Sequence, residues 1–111
     1  MIITVVRSGG FQGRTEQLGP VDTSRVEPGV GAGLEEKVEE IGFFELPKRL
    51  PGGEDSSDTF NYTVTVTDVG RDHTVAYNEL SDEARQCGVT DLVKLVEDTG
   101  VGWDPTPLTQ Q

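Results

Sequence analysis

Apolar and polar residues alternate most regularly in the segment FNYTVTVTDVGRDHTVAY, residues 60–77. A period of two is typical of a strand that buries one face and exposes the other to water. The acidic turn (residues 68–72) divides this segment, so the pattern predicts a β-hairpin. The apolar positions of the hairpin are Phe60, Tyr62, Val64, Val66, Val75 and Tyr77. We expect this face to supply much of the core.

β-Branched residues dominate the segment IITVVR, residues 2–7, where both faces are apolar. This pattern favours a central strand over an edge strand. A weaker strand is predicted for RTEQLGPVD, residues 14–22, with an interruption at Gly19-Pro20. Between the two lies the glycine-rich turn (residues 8–13, SGGFQG), so this region also predicts a hairpin. Phe11 in this turn is expected either to fold back onto the core or to enter another molecule.

The spacing of apolar residues changes to a helical period in the segment GLEEKVEEIGFFELP. Leu34, Val38 and Ile41 lie at i, i+4 and i+7, which predicts one apolar stripe on a helix whose glutamates face water. Gly42 is suited to a left-handed residue that ends this helix. The preceding residues 23–33, TSRVEPGVGAG, are interpreted as a connection.

A second helical region is predicted for residues 80–100, LSDEARQCGVTDLVKLVEDTG, with Ser81 or Thr90 as its N-cap. Residues 101–111 contain two prolines and show no periodicity, so we expect an irregular tail from which Trp103 docks on the body of the domain. Together these elements predict an α+β fold in a single domain at residues 1–100. Its four-stranded antiparallel sheet consists of two hairpins, with two helices packed on one face.

Composition limits the function classes. The 111 residues suit one domain, and the formal net charge of −11 opposes binding to nucleic acid or to an anionic membrane. Abundant acidic residues beside few lysines also hint at salt adaptation. The start of the chain, MIITVVRSGG, lacks the features of a signal peptide, and no stretch is long enough to span a membrane. We therefore expect a cytoplasmic protein.

Residues with candidate catalytic or ligand-binding chemistry are few and isolated. The triplet DTG at residues 98–100 occurs in aspartic proteases, but here it follows a helical pattern, which favours a helix-ending turn. The sequence GVGAG, residues 29–33, lacks the strand and the lysine of a phosphate-binding loop. His73 and Cys87 have no second ligand nearby for a metal site. The sequence predicts no enzyme, no cofactor and no metal in the free protein.

Three motifs occur in a characteristic order: TVVRSGGFQG near the N-terminus, IGFFELP after a helix, and DTFNYTVTV…HTVAY as the later hairpin. In this order and spacing the chain resembles the emfourin family, small proteins that inhibit thermolysin-family metallopeptidases of the protealysin type. The resemblance extends from about Ile2 to about Val96. It implies an inhibitor that is a monomer when free and whose partner is a thermolysin-like or protealysin-like zinc metallopeptidase.

The resemblance also implies a binding role for the glycine-rich turn. A thermolysin-like target has a hydrophobic specificity pocket and a catalytic zinc with an open position. Phe11 is suited to the pocket, and the flanking glycines allow the backbone to approach the cleft. The peptidase-binding candidates around this turn are Arg7, Ser8, Gly9, Gly10, Phe11 and Gln12. A small binding module with no protease target remains the alternative.

A carboxylate could reach the zinc if it lay beside Phe11. In a sheet with strands in sequential order, strands one and three run the same way, so the glycine-rich turn and the acidic turn lie at the same end. This topology selects Asp68 and Asp72 as further candidates. Asp22, after the second strand, would lie at the opposite end and is the reserve candidate.

Overall fold

The computed structural model describes residues 1–9, 14–53 and 59–105. The strands in these ranges are β1 (Ile2–Gly9), β2 (Arg14–Asp22), β3 (Phe60–Asp68), β4 (Arg71–Asn78) and β5 (Trp103–Pro105). The helices in the same ranges are α1 (Pro28–Glu40), α2 (Asp82–Cys87) and α3 (Val89–Glu97), with a 3-10 turn at Phe43–Glu45. These elements confirm the α+β class and both predicted hairpins.

The strands of the described chain form one sheet in the order β4-β3-β1-β2-β5, with every neighbouring pair antiparallel. β1 is the central strand, as its two apolar faces predicted. The expected count of four strands is wrong, because Trp103–Pro105 pairs with Glu16–Leu18 of β2 as a fifth strand. β5 has only three residues, one of them a proline, and this is too short for an alternation of apolar and polar residues to be recognised. The sequence pattern therefore did not predict β5.

The helices and one face of the sheet enclose a single hydrophobic core. Val5, Val64 and Val75 lie in register on this face and are fully buried. From the helices, Leu34, Val38, Leu92 and Val96 complete the core. Thr63, Thr65 and Thr67 of β3 lie on the opposite face of the sheet, which confirms the predicted phase of the later hairpin.

α1 begins earlier than the sequence predicted. Pro28 lies in its first turn, where the missing N–H of proline costs nothing and the fixed φ is already helical. The GVGAG stretch therefore belongs to α1 and not to the connection. One of these glycines, Gly31, is required by packing, because a Cβ built on it would clash with the Thr23 carbonyl oxygen. Gly42 follows the helix with φ 64°, as predicted.

The second helical region is divided in two by Gly88, whose φ of 97° ends α2 before α3 begins. Ser81 is the N-cap of α2, since its Oγ accepts a hydrogen bond of 3.1 Å from the Ala84 amide. Thr90, the other predicted cap, lies inside α3. The DTG triplet at residues 98–100 directly follows α3, which confirms that it ends the helix.

Candidate functional site

The end of β1 at Gly9 and the β3–β4 turn lie at opposite ends of the sheet. β1 pairs antiparallel with β3, so that Gly9 lies opposite Phe60 and Ile2 lies opposite Thr67. Seven residue steps separate these two pairs, a distance of roughly 23 Å at about 3.3 Å per residue. We call the end that contains Gly9, Arg14 and Phe60 the Gly9 end of the sheet.

The predicted proximity of Asp68 and Asp72 to the glycine-rich turn is therefore wrong. It depended on sequential strand order, in which β3 would pair with β2. Instead the chain leaves β2, passes through α1 and returns β3 to the free edge of β1. β3 consequently runs opposite to β1, and the acidic turn lies far from the Gly9 end.

The polar contacts of Asp68 are made within its own turn. Its Oδ1 accepts a hydrogen bond of 2.9 Å from the Val69 amide, and its Oδ2 lies 3.6 Å from a guanidinium nitrogen of Arg71. The same guanidinium bonds Glu39 at 2.8 Å. Asp68 thus shapes the β3–β4 turn, while Asp72, the second residue of β4, has an exposed side chain.

Asp22 lies at the end of β2 opposite Ile2, away from the Gly9 end, as the sequence predicted. Its Oδ1 accepts hydrogen bonds from the Ser24 hydroxyl at 2.7 Å and from the Ser24 amide at 3.0 Å. The Ser24 hydroxyl, followed by the Ser24 amide, holds the pKa of this carboxyl below its ordinary value. Asp22 organises the turn that follows β2.

Among the residues predicted for the glycine-rich turn and its flank, Arg7, Ser8 and Gly9 form the last part of β1. Gly10, Phe11 and Gln12 lie outside the described residues. Ser8 is half-buried and pairs across the sheet with Thr15 and Asn61. The described candidates therefore lie together at the Gly9 end, and Asp22, Asp68 and Asp72 do not.

Gly9 is required by the backbone. Its φ of 99° lies in the left-handed region, and a Cβ built on it would lie 2.6 Å from the Thr59 carbonyl oxygen. Real Cβ atoms do not approach a backbone oxygen so closely. The close passage of residue 59 over the end of β1 thus explains this glycine without reference to a partner.

The Arg7 side chain lies on the same sheet face as the core, because it is two residues beyond Val5 and opposite Tyr62. Its guanidinium carbon lies 4.0 Å from the Trp103 ring centroid and 4.8 Å from that of Phe60. Its Nε donates a hydrogen bond of 2.8 Å to Glu16 Oε1. We call this group, Arg7 with Phe60, Trp103 and Glu16, the Arg7 clamp.

Aromatic rings continue from the clamp towards the core. Tyr62 lies 6.3 Å from Trp103 and stacks on Tyr77 at 5.2 Å between centroids. Burial raises the pKa of Tyr77, and it raises the pKa of Tyr62 although the neighbouring Arg7 opposes the shift. The Gly9 end thus carries a layer of aromatic side chains around a cation.

The hydrophobic pattern of the chain does not predict most of the clamp. Alternation identified Phe60 and Tyr62 as core residues, and docking of Trp103 was expected without a location. The partnership of Arg7 with Glu16 and Trp103 left no local signal, because the three residues come from β1, β2 and β5. Only the sheet order brings them to one face.

Within the described ranges, no group of three or more histidine, cysteine, aspartate or glutamate side chains is arranged to hold a metal ion. His73 is occupied structurally, since its Nε2 lies 2.7 Å from the Leu46 carbonyl oxygen and its ring packs against Phe43. No helix in this part of the chain combines the length and hydropathy needed to cross a membrane.

Comparison with known proteins agrees with the motifs. The family model described as Emfourin matches residues 5–97, most of the 111-residue chain. The match includes the Gly9 end of β1 and β3, but it stops before β5. Comparisons with curated proteins and with solved structures found no match.

Proposed function

The chain belongs to the emfourin family, and from that premise we propose that it is a protein inhibitor of thermolysin-family zinc metallopeptidases of the protealysin type. The family match over residues 5–97 is the observation that carries this proposal. The scarcity of catalytic chemistry in the sequence agrees with an inhibitor and not with an enzyme.

The inhibitory contact is assigned to the glycine-rich turn and the Gly9 end that supports it. Phe11 supplies an apolar side chain for a hydrophobic pocket of the peptidase, and such aromatic residues often dominate the binding energy of an interface. Ser8, Gly9, Gly10 and Gln12 supply backbone and small contacts around it. The packing of Arg7 against Phe60 and Trp103 at the base of the hairpin supports this assignment, because a surface that is already packed in the free protein loses less entropy on binding.

The inhibitor binds without a carboxylate from the acidic turn. Asp72 lies opposite Thr67, which is seven residue steps from Phe60, or roughly 23 Å at about 3.3 Å per residue, and Asp68 lies one step further. Asp22 lies at their end of the sheet and already accepts hydrogen bonds from Ser24. These three residues therefore serve as controls for the proposed interface.

The test is a titration of a protealysin-type peptidase at neutral pH with the wild type, Phe11→Ala, Asp22→Asn, Asp68→Asn and Asp72→Asn. Phe11→Ala is expected to weaken inhibition by about 1.5–3 kcal/mol, or about 10- to 150-fold, with an unchanged unfolding midpoint. The three Asn variants are expected to inhibit like the wild type.

Two results would contradict the proposal. Wild-type inhibition by Phe11→Ala together with weak inhibition by an Asn variant would move the interface to the opposite end of the sheet. Failure of the wild type to inhibit any such peptidase would favour the alternative, a small binding module with no protease target. The proposal also takes the free inhibitor to be a cytoplasmic monomer, which size-exclusion chromatography and cell fractionation check.

A further inference from the structure

β5 adds a strand to the hairpin that carries the glycine-rich turn. It pairs with Glu16, Gln17 and Leu18 on the edge of β2 that faces away from β1. The family match ends at residue 97, so β5 lies outside the matched residues.

Trp103 connects β5 to β1, the strand of the hairpin with which β5 does not pair. Its ring crosses β2 and lies over the Arg7 guanidinium at 4.0 Å. Its Nε1 donates a hydrogen bond of 2.9 Å to Glu97 Oε2 at the end of α3. The ring is therefore fixed at one edge by a helix and on one face by a cation of β1.

Arg7 has little capacity left for a partner molecule. Its side chain is 21% exposed and its guanidinium packs over the rings of both Trp103 and Phe60, while Glu16 accepts its hydrogen bond. The planar guanidinium can stack and bond at the same time, which a lysine ammonium cannot do. Phe60, Arg7 and Glu16 belong to β3, β1 and β2, so the clamp joins the strands beside Gly9 and Arg14.

We propose that Trp103 and Arg7 are positioning residues that fix the end of the β1–β2 hairpin, so that residues 7–9 and 14–16 are held in the orientation in which the inhibitor docks. Arg7, a candidate contact on sequence grounds, acts through the hairpin and not on the peptidase. The docking part of this inference rests on the proposed function. The physical gain is preorganisation, since a hairpin already ordered in the free protein loses less entropy on association.

The first experiment uses the free full-length protein and needs no peptidase. Amide hydrogen exchange of residues 7–9 and 14–16 is compared in the wild type, Trp103→Ala, Trp103→Phe and Arg7→Lys. Loss of the cation–π contact is expected to speed exchange about 3- to 30-fold in Trp103→Ala. Trp103→Phe keeps a ring over Arg7 and is expected to restore most of the protection, while Arg7→Lys is expected to fall between them.

Two controls separate positioning from general destabilisation. Asp104→Ala changes an exposed β5 side chain, and we expect it to exchange like the wild type. Val38→Ala truncates a fully buried residue of α1, so it lowers global stability without touching the clamp. Equal exchange in Val38→Ala and Trp103→Ala at residues 7–9 would overturn the inference, as would unchanged exchange in Trp103→Ala.

The second experiment measures inhibition by the same variants at a temperature where all are folded. The inference predicts weaker inhibition by about 3- to 30-fold in Trp103→Ala, rescue in Trp103→Phe, and wild-type behaviour in Val38→Ala. Weaker inhibition with unchanged exchange would overturn it, because Trp103 would then contact the peptidase directly. If the wild type does not inhibit, the proposed function fails, whereas the exchange data alone still decide whether the clamp orders the hairpin.

Discussion

Gly9 ends β1 with a backbone conformation that side chains rarely adopt, and its α-carbon lies against the Thr59 carbonyl. In a turn proposed to bind a partner, a glycine could be explained by close contact of the backbone with that partner. Here the tertiary contact with residue 59 is sufficient. Gly33, in α1, has ordinary helical φ and no atom within 4 Å of a built Cβ. The two glycines therefore allow opposite predictions for the same substitution.

Gly9→Ala is expected to lower the free energy of unfolding by about 1–3 kcal/mol, because alanine is strained at φ 99° and its Cβ would displace residue 59. Gly33→Ala is expected to raise it by about 0.5–1 kcal/mol, because alanine reduces the entropy of the unfolded chain and favours the helix. Urea unfolding of both variants checks the signs. A neutral Gly9→Ala would mean that residue 59 moves without cost.

At the scale of elements, α2 is too short to be stable by itself, so its stability depends on the hydrogen bonds made at its first turn. Ser81 is fully buried there and makes two hydrogen bonds through one hydroxyl. The hydroxyl accepts from the Ala84 amide and donates to the Pro51 carbonyl at 2.6 Å. It thus joins the start of the helix to the loop after residue 50.

Ser81→Ala is expected to lower the free energy of unfolding by about 1–2 kcal/mol, since the helix loses its cap and the Pro51 carbonyl loses its donor. The matched control is Thr90→Ala. Thr90 was an equal candidate for the cap on sequence grounds, but it lies inside α3, so we expect a change within about 0.5 kcal/mol. Chemical denaturation of both variants compares the two positions, and equal losses would contradict the assignment of Ser81 as the cap.

At the scale of the whole molecule, acidic residues outnumber basic ones by 20 to 9. Ion pairs are mostly at exposed positions, as for Arg25 with Asp22 and Arg71 with Glu39, where each contributes little. The repulsion between unpaired negative charges therefore exceeds the attraction within the ion pairs. This repulsion destabilises the folded state.

Salt is accordingly expected to stabilise the fold. Raising NaCl from 0.1 to 1 M shortens the screening length from about 10 Å to about 3 Å, which weakens repulsion across the surface. A gain of about 1 kcal/mol would appear as an increase in Tm of roughly 4–6 °C. Thermal unfolding in NaCl and in KCl measures this increase in Tm. Equal effects of the two salts would indicate that the gain comes from screening. A fall in Tm would show that the ion pairs outweigh the repulsion.

Short-range pattern was sufficient to predict the two hairpins, the helical segments and the core face. The alternation at residues 60–77 identified Val64 and Val75 as core positions, and the structure confirms both. Gly42 was predicted as a helix stop from its position after an apolar stripe. Such features are determined by the sequence itself, because backbone preference and the burial of one face act between neighbours.

The order of the strands was decided only by the tertiary structure. After the β1–β2 hairpin forms, β3 can pair with the free edge of β1 or with the free edge of β2, and the local sequence of β3 does not say which. The choice observed reverses β3, separates Asp68 from Gly9 and assembles Arg7, Phe60 and Trp103 from three strands. β5 depends in the same way on an edge that β2 presents only after folding. The sequence thus determined the elements and their buried faces, whereas the candidate site was determined by contacts between residues distant along the chain.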